Sequence, residues 1–84
     1  MASISDYTHT EFVGLITQIR AANRGGTDAA LGELLELFRQ VAGHPDGTDL
    51  IFYPEPGADN SPEGVTQTVK AWRIAHGLPG FKDD

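Results

Sequence analysis

The sequence predicts an all-α protein, a small irregular four-helix bundle whose third helix is a single turn. Apolar residues recur three and four positions apart in three segments, and a residue typical of a helix N-cap precedes each of them. No segment alternates apolar and polar residues as a half-buried strand would. The 84 residues are enough for one domain, spanning 1–84, with one modest core. Because cysteine is absent, packing alone must stabilise that core.

The first helix is predicted from about Thr10 to Ala22. Thr8 and Glu11 have the spacing of a capping box, in which each side chain binds a free backbone N–H group of the other residue. Two consecutive glycines, at 25 and 26, favour a turn after the helix. The residues expected to face the core are Phe12, Leu15, Ile16 and Ile19.

The second helix is predicted to begin after Thr27, a typical N-cap residue, and to end at Gly43. Asp28 in its first turn is favourable beside the positive end of the helix dipole. Gly32 should cost the helix about 0.5–1 kcal/mol relative to alanine. The apolar face is expected to consist of Leu31, Leu34, Leu35, Phe38, Val41 and Ala42.

The remaining elements follow from two further start signals. Thr48 can cap a single turn over residues 49–53. Ser61, Pro62 and Glu63 are a capping serine, a proline at the first helical position and an acid in the first turn, so a fourth helix should run from there to Gly77. Two residues of the tail are expected to fold back onto the core: Leu78 and Phe81.

The charge is strongly acidic, with 12 acids against 6 bases and a formal net charge of −6. Direct nucleic-acid binding is therefore not expected, because it depends on bases that meet phosphates. A basic protein partner fits better, although the acids could also serve solubility alone. Between residues 28 and 63 only Arg39 opposes eight acids: Asp28, Glu33, Glu36, Asp46, Asp49, Glu55, Asp59 and Glu63.

The sequence indicates no enzyme, metal site or cofactor. His9, His44 and His76 lack the spacing of zinc ligands, and residues 46–49 do not match a calcium loop. His44, before Pro45, is expected to make a structural hydrogen bond in a turn. No glycine-rich phosphate loop is present. An acyl carrier protein would need Asp-Ser-Leu where the second helix starts, and this chain has Thr-Asp-Ala there.

The sequence also indicates neither a signal peptide nor a membrane span. The N-terminus has no basic region followed by an apolar run. The longest uninterrupted apolar run covers only residues 50–53. A cytosolic protein is therefore the expectation.

Four segments together resemble the immunity proteins of the colicin E-type and S-type pyocin DNases. They are SISDYT with EF shortly after, HPDGTDLIFYP, DNSPEGV and VKAWRIAHGLPGFK, which span residues 3–82. The resemblance implies a non-enzymatic inhibitor that binds the nuclease domain of its cognate bacteriocin one to one, beside the active site, and blocks DNA. It also implies residence in the cytosol of the producing bacterium, with departure in complex with the toxin as a further option.

The resemblance implies a shared binding site on the short third helix, made of Asp49, Phe52, Tyr53 and Pro54. Familiar members have two tyrosines where this sequence has Phe52 and Tyr53, so the hydroxyl group at 52 is missing. The ring at 52 keeps its contact area, and aromatic rings are typical binding hot spots. The alternative is that Phe52 belongs to the core and only Tyr53 is exposed. Leu50 and Ile51 are expected to pack onto the bundle.

The resemblance places the choice among nucleases on the second helix, at Asp28, Leu31, Gly32, Leu35 and Arg39. Arg39 departs from the acid or neutral residue usual there and would repel a lysine of the partner. Gly32 would make room for a large partner residue. The alternatives are that Arg39 pairs with an acid of its own chain, at 36 or 46, and that Gly32 has no role. A rival function is that of an acidic DNA mimic or scaffold that binds a basic partner without an aromatic anchor.

Overall fold

The computed structural model describes residues 3–53, 57 and 59–83, and these residues contain four α-helices and no β-strand. A 3₁₀ turn over Ile4–Asp6 precedes the first helix. The predicted all-α architecture with a one-turn third helix is confirmed. The helices are α1 (His9–Gly25), α2 (Asp28–Ala42), α3 (Asp49–Phe52) and α4 (Pro62–Ala75).

The three long helices begin at the predicted caps. The hydroxyl groups of Thr8, Thr27 and Ser61 each accept a hydrogen bond from a backbone N–H group three residues later. Thr48 stands at the N-cap position of α3, but its side chain makes no cap hydrogen bond, because its own backbone is already helical. The prediction that Thr48 caps α3 is therefore wrong, and α3 depends on packing instead.

α1 continues three residues beyond the predicted end, to Gly25. The chain turns only at Gly26, whose N–H group donates to the Ala22 carbonyl at 2.8 Å. A Cβ atom on Gly26 would come within 2.9 Å of Ala22 backbone atoms, so the second glycine of the pair is the one that the turn requires. The extra turn lengthens α1 toward α3.

The core lies where α1 packs against both α2 and α4. The ring of Phe12 stacks on that of Phe38, with centroids 5.5 Å apart, and lies 5.4 Å from the ring of Phe81. Phe81 is 3% exposed, as predicted for the tail, whereas Leu78 is 40% exposed and does not fold back. The backbone N–H of Leu78 closes the end of α4 by donating to the Arg73 carbonyl, and this closure leaves residue 78 at the surface.

Arg73 ties α2, α4 and the tail together. Its Nη1 donates to the Ala42 carbonyl at 3.0 Å, and its Nε donates to the Pro79 carbonyl at 2.7 Å. Burial lowers the pKa of Arg73. Gly43, which ends α2 at φ +60°, has Nη1 only 2.8 Å from where a Cβ atom would stand. The start of the loop that leads to α3 is thereby fixed.

Within the described part of the chain, no helix combines the length and the apolar character needed to cross a membrane.

Candidate partner-binding surface

The turn that leads into α3 is held by His44. Its Nδ1 accepts a hydrogen bond from the backbone N–H of Asp46 at 3.0 Å, which confirms the predicted structural role. The imidazole also packs against the indole of Trp72 on α4, with ring centroids 4.9 Å apart. Gly47 then has φ +52°, a conformation that favours glycine, and α3 begins two residues later.

α3 has one buried side and one displayed side. Ile51 is 5% exposed and belongs to the core, and Leu50 is half-buried against it, as predicted. Tyr53 is 79% exposed, and Asp49 is also exposed. The backbone N–H of Tyr53 donates to the Asp49 carbonyl at 2.8 Å, so the exposed ring follows directly from a closed helical turn. A turn fixed by Ile51 therefore presents a tyrosine and a carboxylate.

Phe52 falls between the two predicted alternatives. Its side chain is half-buried and packs against the core. It also lines a surface cleft of about 260 Å³, together with Ile51 and residues of α1 and of the segment before α4. The remaining residue of the predicted anchor, Pro54, lies outside the described residues.

The predicted specificity residues of α2 divide into two kinds. Asp28, Gly32 and Arg39 are exposed, whereas Leu31 and Leu35 are half-buried and pack against the core. A Cβ atom on Gly32 would have no neighbour within 4 Å, so the helix has open space there.

Arg39 links this helix to the approach to α3. Its Cγ lies 3.8 Å from the ideal Cβ position of Gly47. Its Nη1 lies 3.0 Å from Glu36 Oε2, and both side chains are more than half exposed. Arg39 therefore pairs with an acid of its own chain, as one of the alternatives predicted, and that acid is Glu36. The positive charge of Arg39 is compensated locally.

The acids of the 28–63 segment also divide by role. The Asp59 carboxylate accepts a hydrogen bond from the Ser61 backbone N–H at 3.0 Å, and hydrogen bonds from Ser61 lower the pKa of Asp59. Glu63 contacts His9, and Glu36 contacts Arg39. Glu55 lies outside the described residues. The exposed acids that have no such contact are on α2 and around α3: Asp28, Glu33, Asp46 and Asp49.

Counting charges only from residue 28 to residue 63 missed one exposed base near α3, Arg24. It is exposed on the last turn of α1 and lines the same cleft as Phe52. Arg20, Asn23 and Arg24 are three and four positions apart and therefore share one helix face. Because the predicted helix ended at Ala22, that shared face was not recognised from the sequence. The surface displays the ring of Tyr53, the exposed carboxylates of α2 and α3, and the guanidinium of Arg24. These groups are suited to binding another protein.

Comparisons with known proteins point the same way. The family model for colicin immunity protein / pyocin immunity protein matches residues 4–75. The pyocin-S1 immunity protein of Pseudomonas aeruginosa and the pyocin-S2 immunity protein of P. aeruginosa strain PAO1 are each 38% identical to this chain. Each match covers 96% of this chain and 95% of the relative.

Two solved structures share the fold at high similarity. One is the crystal structure of the mutant nuclease domain of pyocin S8 with its cognate immunity protein, where the matched chain is 43% identical with a TM-score of 0.84. That match covers 98% of this chain and 99% of the other. The other is the pyocin AP41 DNase–immunity complex, at 36% identity, a TM-score of 0.82 and 98% coverage of both chains. With the family model matching most of its length, the chain belongs to the colicin and pyocin immunity protein family.

Proposed function

We propose that this protein binds and neutralises the DNase domain of a cognate bacteriocin, as one domain in a 1:1 complex in the cytosol of the producing cell. Its relatives are immunity proteins of pyocins, and two similar chains are named in complexes with pyocin nuclease domains. The observation that carries the proposal is the display of Tyr53. Tyr53 is 79% exposed and follows a helical turn that contains Ile51, a residue of the core.

The rigidity of this turn suits a binding hot spot. A tyrosine buries a large area while fixing only two side-chain torsions, so little entropy is lost when a partner covers it. The closed turn at Asp49 and the burial of Ile51 hold the backbone that carries the ring before binding, which lowers the ordering cost further. Phe52 extends the contact area into the adjacent cleft.

The surrounding charges suit an inhibitor that binds beside an active site. Four exposed carboxylates on α2 and around α3 would attract a basic nuclease and repel the phosphates of DNA. Such a protein blocks the substrate by bulk and charge, and it needs no catalytic group of its own. We therefore propose an inhibitor that acts by binding alone, with α2 selecting the partner and Asp49, Phe52 and Tyr53 supplying the shared anchor.

The test is the affinity of Tyr53→Ala for a nuclease that the wild-type protein inhibits, measured by titration calorimetry. A hot-spot tyrosine should cost at least ~2 kcal/mol, which is about 30-fold in Kd. Ile74→Ala is the matched control, because Ile74 on α4 is another exposed large apolar side chain, at 65%. Binding by Tyr53→Ala within about twofold of wild type would show that the anchor assignment is wrong.

The four exposed acids also support the rival function, a DNA mimic or scaffold that uses charge alone. Salt separates the two, because exposed charges are screened within about 8 Å at physiological ionic strength. A complex anchored by Tyr53 should keep much of its affinity at 1 M NaCl. Tyr53→Ala should remove most of the affinity that the wild-type protein retains at that salt concentration. A purely electrostatic binder would lose nearly all affinity at that salt with or without Tyr53.

A further inference from the structure

The cleft beside Phe52 has a polar rim over an apolar floor. Ile51 and Phe52 form the floor, and the other lining residues that the structure describes are Arg20, Asn23, Arg24 and Asn60. Phe52, a member of the proposed anchor, is one of its lining residues, so a partner seated on α3 would also cover it. The cleft thus shares Phe52 with the proposed anchor, and its described lining residues belong to α1, α3 and the segment before α4.

The two arginines of this cleft have different roles. Arg20 donates through Nη2 to the Asn60 carbonyl, which ties the segment before α4 to α1, and its charge also acts on Asp59. Arg24, one turn later, is exposed, and its side chain forms no hydrogen bond or ion pair with any residue that the structure describes. Arg39, by contrast, is already paired with Glu36. The guanidinium of Arg24 is therefore available to a partner.

We propose that this cleft receives an acidic side chain of the nuclease and that Arg24 binds its carboxylate, which makes Arg24 a specificity-determining residue outside α2 and α3. The inference rests on the proposed function. An unpaired base on a protein of net charge −6 weakens its long-range attraction for a basic partner. Such a base favours binding only where it meets an anion at contact, so it selects nucleases that present a carboxylate there.

The chemistry of the cleft favours a carboxylate over other groups. Guanidinium presents two parallel N–H groups that match the two oxygens of a carboxylate. Asn23, beside Arg24 on the rim, adds an amide that can donate to the same group. The apolar floor of Ile51 and Phe52 excludes water once covered, which strengthens the pair relative to one in open solvent.

The test compares charge changes at two ends of α1. Lys82 contacts Glu11 near the N-terminus of α1, whereas Arg24 lies near its C-terminus. Lys82→Gln and Lys82→Glu therefore change the net charge by the same amounts as Arg24→Gln and Arg24→Glu, but far from the cleft. Kd and dissociation rates are measured by surface plasmon resonance for these variants, for Arg24→Gln and for Arg24→Glu. The partner is the DNase domain that the wild-type protein binds most tightly in a panel, and thermal melts verify folding.

The expected result is a loss of affinity of at least about fivefold for Arg24→Gln, since the pair should be stronger than one exposed ion pair, whose upper end this is. The loss should reach about 20-fold for Arg24→Glu, where repulsion replaces attraction. The loss should be in the dissociation rate, and the Lys82 variants should change Kd by less than about twofold. Equal changes in Kd at positions 24 and 82, or tighter binding by Arg24→Glu, would overturn this inference and leave the proposed function standing. A wild-type protein that bound no DNase of the panel would overturn the proposed function and this inference with it.

A cross-linking experiment tests the identity of the partner group. Arg24→Lys keeps the charge and places an amine at the cleft, and a water-soluble carbodiimide joins an amine to a carboxylate in direct contact. Mass spectrometry of the cross-linked complex should find position 24 joined to an Asp or Glu of the nuclease. A variant that binds normally without a cross-link at 24 would overturn the carboxylate assignment.

Discussion

His9 Nε2 lies 2.8 Å from Glu63 Oε1, so one contact joins the first turn of α1 to the first turn of α4. Gln67 donates to the same carboxylate oxygen at 3.2 Å. The His9 backbone N–H donates to Asp83 at 3.1 Å, and its ring meets Phe81 edge-on. The N-terminal turns of α1 and α4 and the C-terminal tail are therefore joined by a small polar network around His9.

This network predicts the direction of acid destabilisation. A hydrogen bond from Gln67 lowers the pKa of Glu63, and a hydrogen bond with His9 lowers it to a smaller extent. Hydrogen bonds from Thr8 lower the pKa of Glu11. Carboxyl groups with a lowered pKa bind fewer protons in the folded state than in the unfolded state. Their stabilisation is present above the ordinary pKa of 4.5 and is lost as the pH falls through the lowered value.

Urea unfolding at a series of pH values from 7 to 3 checks this prediction. The free energy of unfolding should decrease below about pH 4.5, and Glu63→Gln should flatten part of that decrease. Glu33→Gln, which changes an exposed carboxylate on α2 outside this network, is the matched control for the loss of one negative charge. Stability that increased on acidification from pH 5 to pH 3 would contradict the assignment.

Two helical glycines should respond in opposite ways to substitution by alanine. Gly32→Ala should stabilise the protein by about 0.5–1 kcal/mol, because a Cβ atom at 32 meets nothing within 4 Å. Gly64→Ala should destabilise it by roughly 1–3 kcal/mol, because a Cβ atom at 64 would overlap Asp59. Thermal or urea unfolding of both variants measures the two changes. A stability loss in Gly32→Ala would show that the glycine is required by the fold.

Arg39→Glu should change which nuclease of a panel is preferred, while affecting stability little. The Arg39–Glu36 pair is exposed and contributes about 0.3–0.5 kcal/mol, so its reversal alters the surface far more than the fold. The Kd values of wild type and variant for several bacteriocin DNases are the measurement. Glu36→Gln separates the two roles, because it leaves Arg39 in place without its partner. An unchanged order of preference in Arg39→Glu would exclude a specificity role.

The starts of the long helices were predictable because they depend on local chemistry. Thr8, Thr27 and Ser61 each satisfy a backbone donor three residues away, and the sequence alone contains that relation. The end of α1 was less predictable, because two glycines stood side by side and only the close approach of Gly26 to Ala22 decides between them. The position of Leu78 likewise depends on how its backbone closes α4.

At the candidate surface too, contacts within a short segment could be predicted from the sequence, whereas contacts between distant segments could not. The burial of Ile51 and the confirmed hydrogen bond of His44 follow from local pattern. That Arg24 and Phe52 line the same cleft could not be predicted, because these residues are far apart in sequence and only the folded chain brings α1 and α3 to one cleft. The pairing of Arg39 with Glu36 was one of two open alternatives, and only side-chain geometry decides between them.

The division of α2 into an exposed strip and a core strip has an evolutionary consequence. Asp28, Gly32 and Arg39 make no contribution to the core, whereas Phe38, Val41 and Ala42 on the same helix are buried within it. Mutations on the exposed strip are close to neutral for folding, since surface substitutions usually change stability by less than about 0.5 kcal/mol. A lineage that carries this fold can therefore vary the exposed side of α2, where we propose that the partner is selected, while purifying selection preserves the other side.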